Sequence, residues 1–397
     1  MTPGSPGPGG EGGRDDRAAV VLVAHPGAEL YGSDRVMLET VLGLLAAGRR
    51  VVVTVPVDGP LLADLAAAGA EVVRTPTFVL RKSALRPAGL VRAVADVVRG
   101  SVRGWSLLRR VRPDVVYVST VTVPLWGLLG RLARRPVLWH VHEAEGSQPA
   151  LVQRVLVAPL RLATGVVANS RYSVDVVRQS SPRTADRMNV VHNGVPGPSD
   201  PAPARAEIEG PLRLVYVGRL SARKGVDVAV EAVGLLRNGG DDVVLDLVGA
   251  VYPGYEWFEQ ALRERAAALG VSDAVRFRGF QPSVWPFLAD ADVVLVPSVV
   301  DEPFGNTAVE AILAARPLVV SATSGLLEAA AGYASAQQVP PGDPEALADA
   351  VRRVRKEWDR LRADALADAA LARERHAREE YRRRIVEAVD DVARASE

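Results

Sequence analysis

The stretch "AAVVLVAHPGAELYGSDRVMLETVLGLLAAGRRVVVTV", residues 18–55, decides the fold. Its opening "AAVVLVA" is a short, unbroken apolar run of the kind buried on both faces of a sheet. "SDRVMLETVLGLLAAG" (33–48) then places Val36, Met37, Val41, Leu44 and Leu45 at helical spacing. Ser33 suits the N-cap and Gly48 the C-terminal stop. "RVVVTV" (50–55) returns to strand. Strand, helix and strand in this order imply a right-handed crossover and a parallel sheet.

Outward from that unit the pattern repeats in "DVVYVS" (114–119), "PVLWHV" (136–141) and "GVVAN" (165–169). It breaks at "PGPSDPAPARAEIEGP" (196–211), whose Pro, Gly and Asp content marks a linker. It restarts in "LRLVYVG" (212–218), "VVLDLVG" (243–249), "AVRFRGF" (274–280), "DVVLVPS" (292–298) and "PLVVS" (317–321), and from Pro344 onward the chain reads as charged helix. The expected fold class is therefore α/β, with two doubly wound Rossmann-like domains facing a cleft. The expected bounds are an N-terminal domain at 18–195, a linker at 196–211, a C-terminal domain at 212–375 and a last helix at 376–397. In open sheets of this kind ligands bind beyond the C-terminal ends of the strands.

Composition narrows the partners. A net charge of +1 on 397 residues argues against nucleic acid as the main ligand. Cysteine is absent and the five histidines are scattered, so no protein-held metal is expected. The first seventeen residues, "MTPGSPGPGGEGGRDDR", hold too little apolar surface to offset the entropy of ordering and read as a disordered tail. No run of about 18 apolar residues suggests a membrane span, and the expected compartment is the cytoplasm. Residues 74–112 hold ten Arg or Lys against one acid, Asp96, with Trp105 among them. We read that segment as a solvated helix face, with weak peripheral contact to anionic lipid at the inner membrane face as the second reading.

Chemistry gathers after the strands of the second domain. "VGRLSARKGVD" (217–227) offers Gly218, Arg219, Arg223, Lys224 and Gly225. Glycines let backbone N–H groups approach a ligand, and the cations suit a phosphate. The chain has three lysines among 48 basic residues, so a lysine at 224 stands out. A solvated basic loop is the other reading. "PSVVDEPFGNTAVEAILAARP" (297–317) carries a helix start near Gly305 whose N–H groups at Gly305, Asn306 and Thr307 would face the cleft and attract an anion. Glu302 and Glu310 flank that start. Two carboxylates about 6 Å from a bound anion would be repelled by roughly 3 kcal/mol each at an effective dielectric of about 20. They fit better as acceptors for hydroxyl groups on either side of the anion. An anion between two polyols describes a nucleoside diphosphate sugar; a first-turn glutamate plus a surface glutamate is the plainer alternative.

Together "GRLSARKG", "DEPFGNTAVEAILAARPLVVSATSGLLEA" and "VHNGV" resemble the retaining glycosyltransferases of family 4, which have the GT-B fold. The resemblance implies that Glu302 contacts the donor sugar and Glu310 the ribose. It gives the diphosphate to Arg219, Lys224 and the Gly305–Thr307 amides, with Gly218 and Phe304 also at the donor. "YGSDRVMLE" (31–39) is similar to the family's first loop, which places Gly32, Ser33 and Asp34 on the acceptor side. "PVLWHVHE" (136–143) is similar to its His-acid segment, which makes His142 the functional histidine, with His140 two residues away on the same strand face. Two departures stand out: Gly32-Ser33-Asp34-Arg35 in place of Gly-Gly-Ala-Glu, and Ser324-Gly325 in place of Gly-Gly. The implied activity is sugar transfer from a nucleotide diphosphate donor (a UDP-sugar first, GDP-mannose second) to an acceptor alcohol or glycan. Retention is expected, with no metal or other cofactor. Catalysis would rest on His142, Glu302, Arg219 and Lys224. The last helix would pack back on the first domain, as in similar proteins. A nucleotide-sugar epimerase and a silent nucleotide-sugar-binding protein are the competing functions.

Overall fold

The computed structural model of the chain describes residues 18–80, 87–143 and 146–395. The tail expected at 1–17 lies outside them. Seven strands form the first sheet: β1 (Val20–Ala24), β2 (Arg50–Val55), β3 (Glu71–Arg74), β4 (Val115–Val118), β5 (Val137–Val141), β6 (Gly165–Ala168) and β7 (Met188–Val190). Their order is β3-β2-β1-β4-β5-β6-β7, parallel throughout. The second sheet holds β8 (Leu212–Val217), β9 (Val243–Val248), β10 (Val275–Gly279), β11 (Val293–Val296), β12 (Leu318–Ser321) and β13 (Ala336–Val339). Its order is β10-β9-β8-β11-β12-β13, again parallel. Strand order reverses beside β1 and beside β8, and such switch points open a crevice at the C-terminal edge of a sheet.

The apolar runs are continuous because each central strand serves two cores. Leu212, Leu214 and Tyr216 enter one core while Val215 and Val217 enter the other. Val20 and Leu22 face away from Val21 and Val23 in the same way. That is the two-residue alternation of a strand covered by helices on both sides.

The interval 196–211 is a tether only in its first part. Ala204 is buried in the second unit's core, and Arg205 makes a two-pronged ion pair with Asp292, at 2.8 and 2.6 Å. At the other end of the chain, the helix Arg378–Arg394 leaves the second unit and lies on the first sheet's helix Gly32–Ala46. Its residues Tyr381, Ile385, Val389 and Val392, spaced four, four and three apart, are all buried in the first unit's core. Burial of each such side chain contributes about 1.5–3 kcal/mol. Tyr381 shares a 2.6 Å hydrogen bond with Thr40, and Arg382 pairs with Glu39 at 2.6 Å. The helix is therefore anchored by both apolar and polar contacts.

Candidate active site

The loops at the C-terminal ends of β1, β8, β10 and β11 converge on an interdomain cavity of about 380 Å³. Tyr31, Gly32 and Arg35 line it from the first unit, and Gly218, Arg219, Phe280, Asn306, Thr307 and Glu310 from the second. The loop after β8 is held against the loop after β11 at Gly225. Its φ is +64°, and a Cβ there would stand 1.9 Å from the Pro297 carbonyl oxygen. Only glycine permits that approach. It places Lys224 Nζ 2.8 Å from both carboxylate oxygens of Glu302. Ser298 donates a further hydrogen bond to Glu302, at 3.0 Å.

Glu302 is fixed by its backbone as well. Its N–H donates to Ser324 Oγ at 2.8 Å, and the Ser324 hydroxyl donates to the Glu302 carbonyl at 3.1 Å. Gly325 follows, and a Cβ on it would meet the Pro303 and Glu302 carbonyl oxygens at 2.4 and 2.5 Å. The serine that replaces the family's first glycine thus adds hydrogen bonds to the loop bearing Glu302, while the second glycine is required by contact.

The helix Asn306–Leu313 begins at Gly305, and its first turn lies on the cavity wall through Asn306 and Thr307. Its opening N–H groups have no intrahelical acceptor, which leaves them available to an anion. Asn306 is oriented from the first unit, where Asn193 Nδ2 donates to its Oδ1 at 2.8 Å. Glu310 lies one turn further in. It is buried, has no hydrogen-bond partner among the described residues, and burial raises its carboxyl to about 7. Arg35 and Lys224 oppose that rise.

Arg219 also lacks a hydrogen-bond partner for its guanidinium among the described residues, and its Nε is buried. It is held by two rings, with Tyr31 of the first unit 4.5 Å from Cζ and Tyr252 of the second 5.3 Å away. Cation–π contact positions the cation without using its N–H groups. Those groups remain for a ligand.

Three sequence-derived placements come out differently. Phe304, expected beside the donor, is 2% exposed and stacks on the His192 ring at 5.5 Å, as part of the core. Asp34, expected toward the acceptor, is buried; it accepts hydrogen bonds from the Tyr31 N–H at 3.0 Å and pairs with His25 Nε2 at 2.8 Å. It shapes the loop rather than lining the cavity. Lys224 is occupied by Glu302 in this structure and does not stand open to a phosphate. Gly32 and Ser33 are exposed at the helix start. Asn306 Nδ2 would lie 3.4 Å from a Cβ at Gly32, so Gly32 sits opposite the second unit.

His142 follows β5 directly, and its ring lies 3.8 Å from that of His140. His140 Nδ1 bonds Tyr117 at 2.5 Å, and the Nε2 atoms of both His140 and His142 are buried with no partner among the described residues. Burial, with a smaller contribution from His25, lowers His142 to about 3 and keeps the imidazole neutral.

Sequence reading missed Arg35 and Tyr31 as cleft residues and Tyr252 as a ring against Arg219, and it missed the polar seam beside them. On that seam Glu328 accepts hydrogen bonds from the backbone N–H groups of Arg171 and Tyr172, at 3.0 and 3.2 Å, and pairs with His192 at 2.7 Å. Asp301 accepts from the Ser147 N–H at 3.0 Å, and Ser170 donates to the Pro303 carbonyl. None of these contacts has a local sequence signature.

Two parallel sheets of matching order, facing each other over a cleft with a helix N-terminus and unpartnered charges in it, define the GT-B class of architecture. Comparison with known proteins agrees. Residues 31–196 match the model of Glycosyltransferase Family 4, and residues 202–370 match that of Glycosyl transferases group 1. The chain belongs to the family 4 type of glycosyltransferase. It is 30% identical to a glycogen synthase of Mycobacterium tuberculosis over 64% of this chain and 62% of that protein. It is 32% identical to D-inositol 3-phosphate glycosyltransferase 1 of Catenulispora acidiphila, over 57% and 58%. The matched region thus spans about six-tenths of the length of these curated relatives. Among solved structures, Anabaena HepE with UDP-glucose superposes with a TM-score of 0.78 at 22% identity, covering 94% of this chain and 99% of that one. The lipopolysaccharide outer core galactosyltransferase WaaB gives 0.71 at 15% identity, over 94% and 99%.

Proposed function

We propose that the protein transfers a sugar from a nucleotide diphosphate donor, a UDP-sugar first, to an acceptor hydroxyl with retention at the anomeric carbon. The carrying observation is the Arg219 guanidinium, held by two rings with its N–H groups uncommitted, beside the first turn of the helix Asn306–Leu313. The binding of UDP-glucose by HepE supports the choice of donor. In this reading the diphosphate lies against Arg219 and the Asn306 and Thr307 amides, and Glu310 accepts the ribose hydroxyls. Glu302 accepts hydroxyls of the sugar, and Lys224 moves from Glu302 toward the leaving phosphate as the donor enters.

The bond between the anomeric carbon and the β-phosphate oxygen breaks, and its electron pair stays on the nucleoside diphosphate. The acceptor oxygen attacks the same face and passes its proton to that phosphate. Arg219 and the helix amides, already in place, stabilise the departing charge. Lys224 joins them once the donor has drawn it from Glu302, and we assign this role to these groups rather than to a metal. Neutral His142 would offer its unpaired nitrogen to a sugar hydroxyl.

The test incubates the protein with UDP-, GDP- and dTDP-sugars, with and without alcohol and glycan acceptors, and follows nucleotide release and sugar isomers. Acceptor-dependent release, unchanged by EDTA and lost in Lys224→Ala and Glu302→Ala, is expected. Isomerisation without an acceptor would mark an epimerase, and binding without turnover a silent binding protein; either outcome replaces the proposal.

A further inference from the structure

The helix Pro87–Val111 does not present the solvated polar face expected from its charge. Its inner side is set by Gly100 and Gly104, which lie against Leu125 and Leu129, and by buried Leu107, Leu108 and Val111. On the opposite side Val94, Val98, Val102 and Trp105 are exposed, Val102 by 67%. Their spacing of four, four and three residues makes one continuous stripe. Arg99, Arg103, Arg109 and Arg110 are exposed around it, with no acidic partner among the described residues. The surface arginines of the last helix differ: Arg383 pairs with Glu380 and Glu387. The neighbouring helix Pro124–Leu132 continues the pattern with exposed Leu128, Leu132 and Arg131.

Single exposed apolar residues need no explanation, but a stripe edged by one sign of charge does. We infer that this face docks on an anionic lipid bilayer, with the valines and Trp105 at the level of the acyl boundary and the arginines among the headgroups. Charge decides the occupant. A second copy would bring the same basic face against itself, and a nucleic acid would leave the apolar stripe against phosphate. The inference does not depend on the proposed reaction, because it concerns a surface outside the cleft.

The test is co-sedimentation of the full chain with phosphatidylglycerol/phosphatidylcholine vesicles and with phosphatidylcholine alone. Binding to the anionic vesicles about tenfold or more stronger, falling with salt, is expected. Val98→Asp with Val102→Asp, and separately Arg99→Glu with Arg103→Glu, should each lower it by about tenfold or more. A vesicle-induced blue shift of tryptophan fluorescence should diminish in Trp105→Phe. Circular dichroism melts of the variants should match wild type, since the substituted side chains are exposed. Absence of binding to anionic vesicles overturns the inference, as does binding that both paired variants retain. Self-association without lipid that the valine pair abolishes, together with no vesicle binding, would assign the face to a second copy instead.

Discussion

Burial raises the Glu310 carboxyl to about 7, with Arg35 and then Lys224 pulling the other way. In the unfolded chain the group titrates near its ordinary 4.5. Between those values the folded state holds a proton that the unfolded state has released, so stability falls as pH rises through this window. Above it the cost levels off at roughly 3 kcal/mol. Glu310→Gln should therefore melt higher than wild type at about pH 8 and equally at about pH 4, read by thermal denaturation at both. The same variant should raise the donor KM by about tenfold or more, since a charged acceptor contributes about 1.5–3 kcal/mol. Equal melting at high pH would show that Glu310 is not desolvated. Residue type and spacing single out Glu302, Glu310 and Lys224 as candidates in the sequence, the lysine because the chain has so few, and the structure places Glu310 on the cavity wall. The pairing of Lys224 with Glu302 was not legible there, because it joins two loops 78 residues apart.

The strands that the sequence hides all lie at sheet edges, although one edge strand, β10, is visible in it as "AVRFRGF". β1, β4 and β11 are buried on both faces and read as unbroken apolar runs, and β8 does so apart from Arg213. β3, β7 and β13 escape such a reading. Each lies at a sheet edge and spells Glu-Val-Val-Arg, Met-Asn-Val or Ala-Gln-Gln-Val, half exposed and only three or four residues long. An edge strand has one neighbour and is recruited by pairing, so its own sequence need not announce it. Loops follow a similar logic. Gly225 is visible as a glycine after a basic pair, but its contact with Pro297 requires both strands in place. Gly225→Ala combines a positive φ with a Cβ 1.9 Å from a carbonyl oxygen. It should lower stability by more than about 1 kcal/mol. By displacing Lys224 it should also lower kcat while leaving the far end of the donor site intact. Denaturant melts and donor kinetics on one preparation check both; a variant with native stability and kcat would show that the two loops are not coupled here.

Each sheet has its own core, so the relative position of the two units rests on the linker, the returning last helix and the polar seam. Glu328 is central to that seam. Burial favours its neutral form, but the hydrogen bond from His192 and the N–H groups of Arg171 and Tyr172 outweigh it and hold the carboxyl below its usual range. It thus caps the helix Arg171–Ser180 of the first unit from the helix Ser324–Ala330 of the second, meeting the positive end of that helix with a negative charge. Glu328→Ala removes the acceptor for two backbone donors and one ring. The cost is about 1–3 kcal/mol for groups left unsatisfied, drawn from the contact between the units and not from either core. Glu328→Ala should therefore leave the main melting transition nearly unchanged. Small-angle scattering should show a larger radius of gyration, and hydrogen exchange should be faster at Arg171 and Tyr172. Because closure excludes water from a reacting donor, the same variant should raise the ratio of donor hydrolysis to transfer. Unchanged scattering and exchange would place the hold between the units elsewhere, with the Asp301–Ser147 and Asn193–Asn306 bonds as the next to remove.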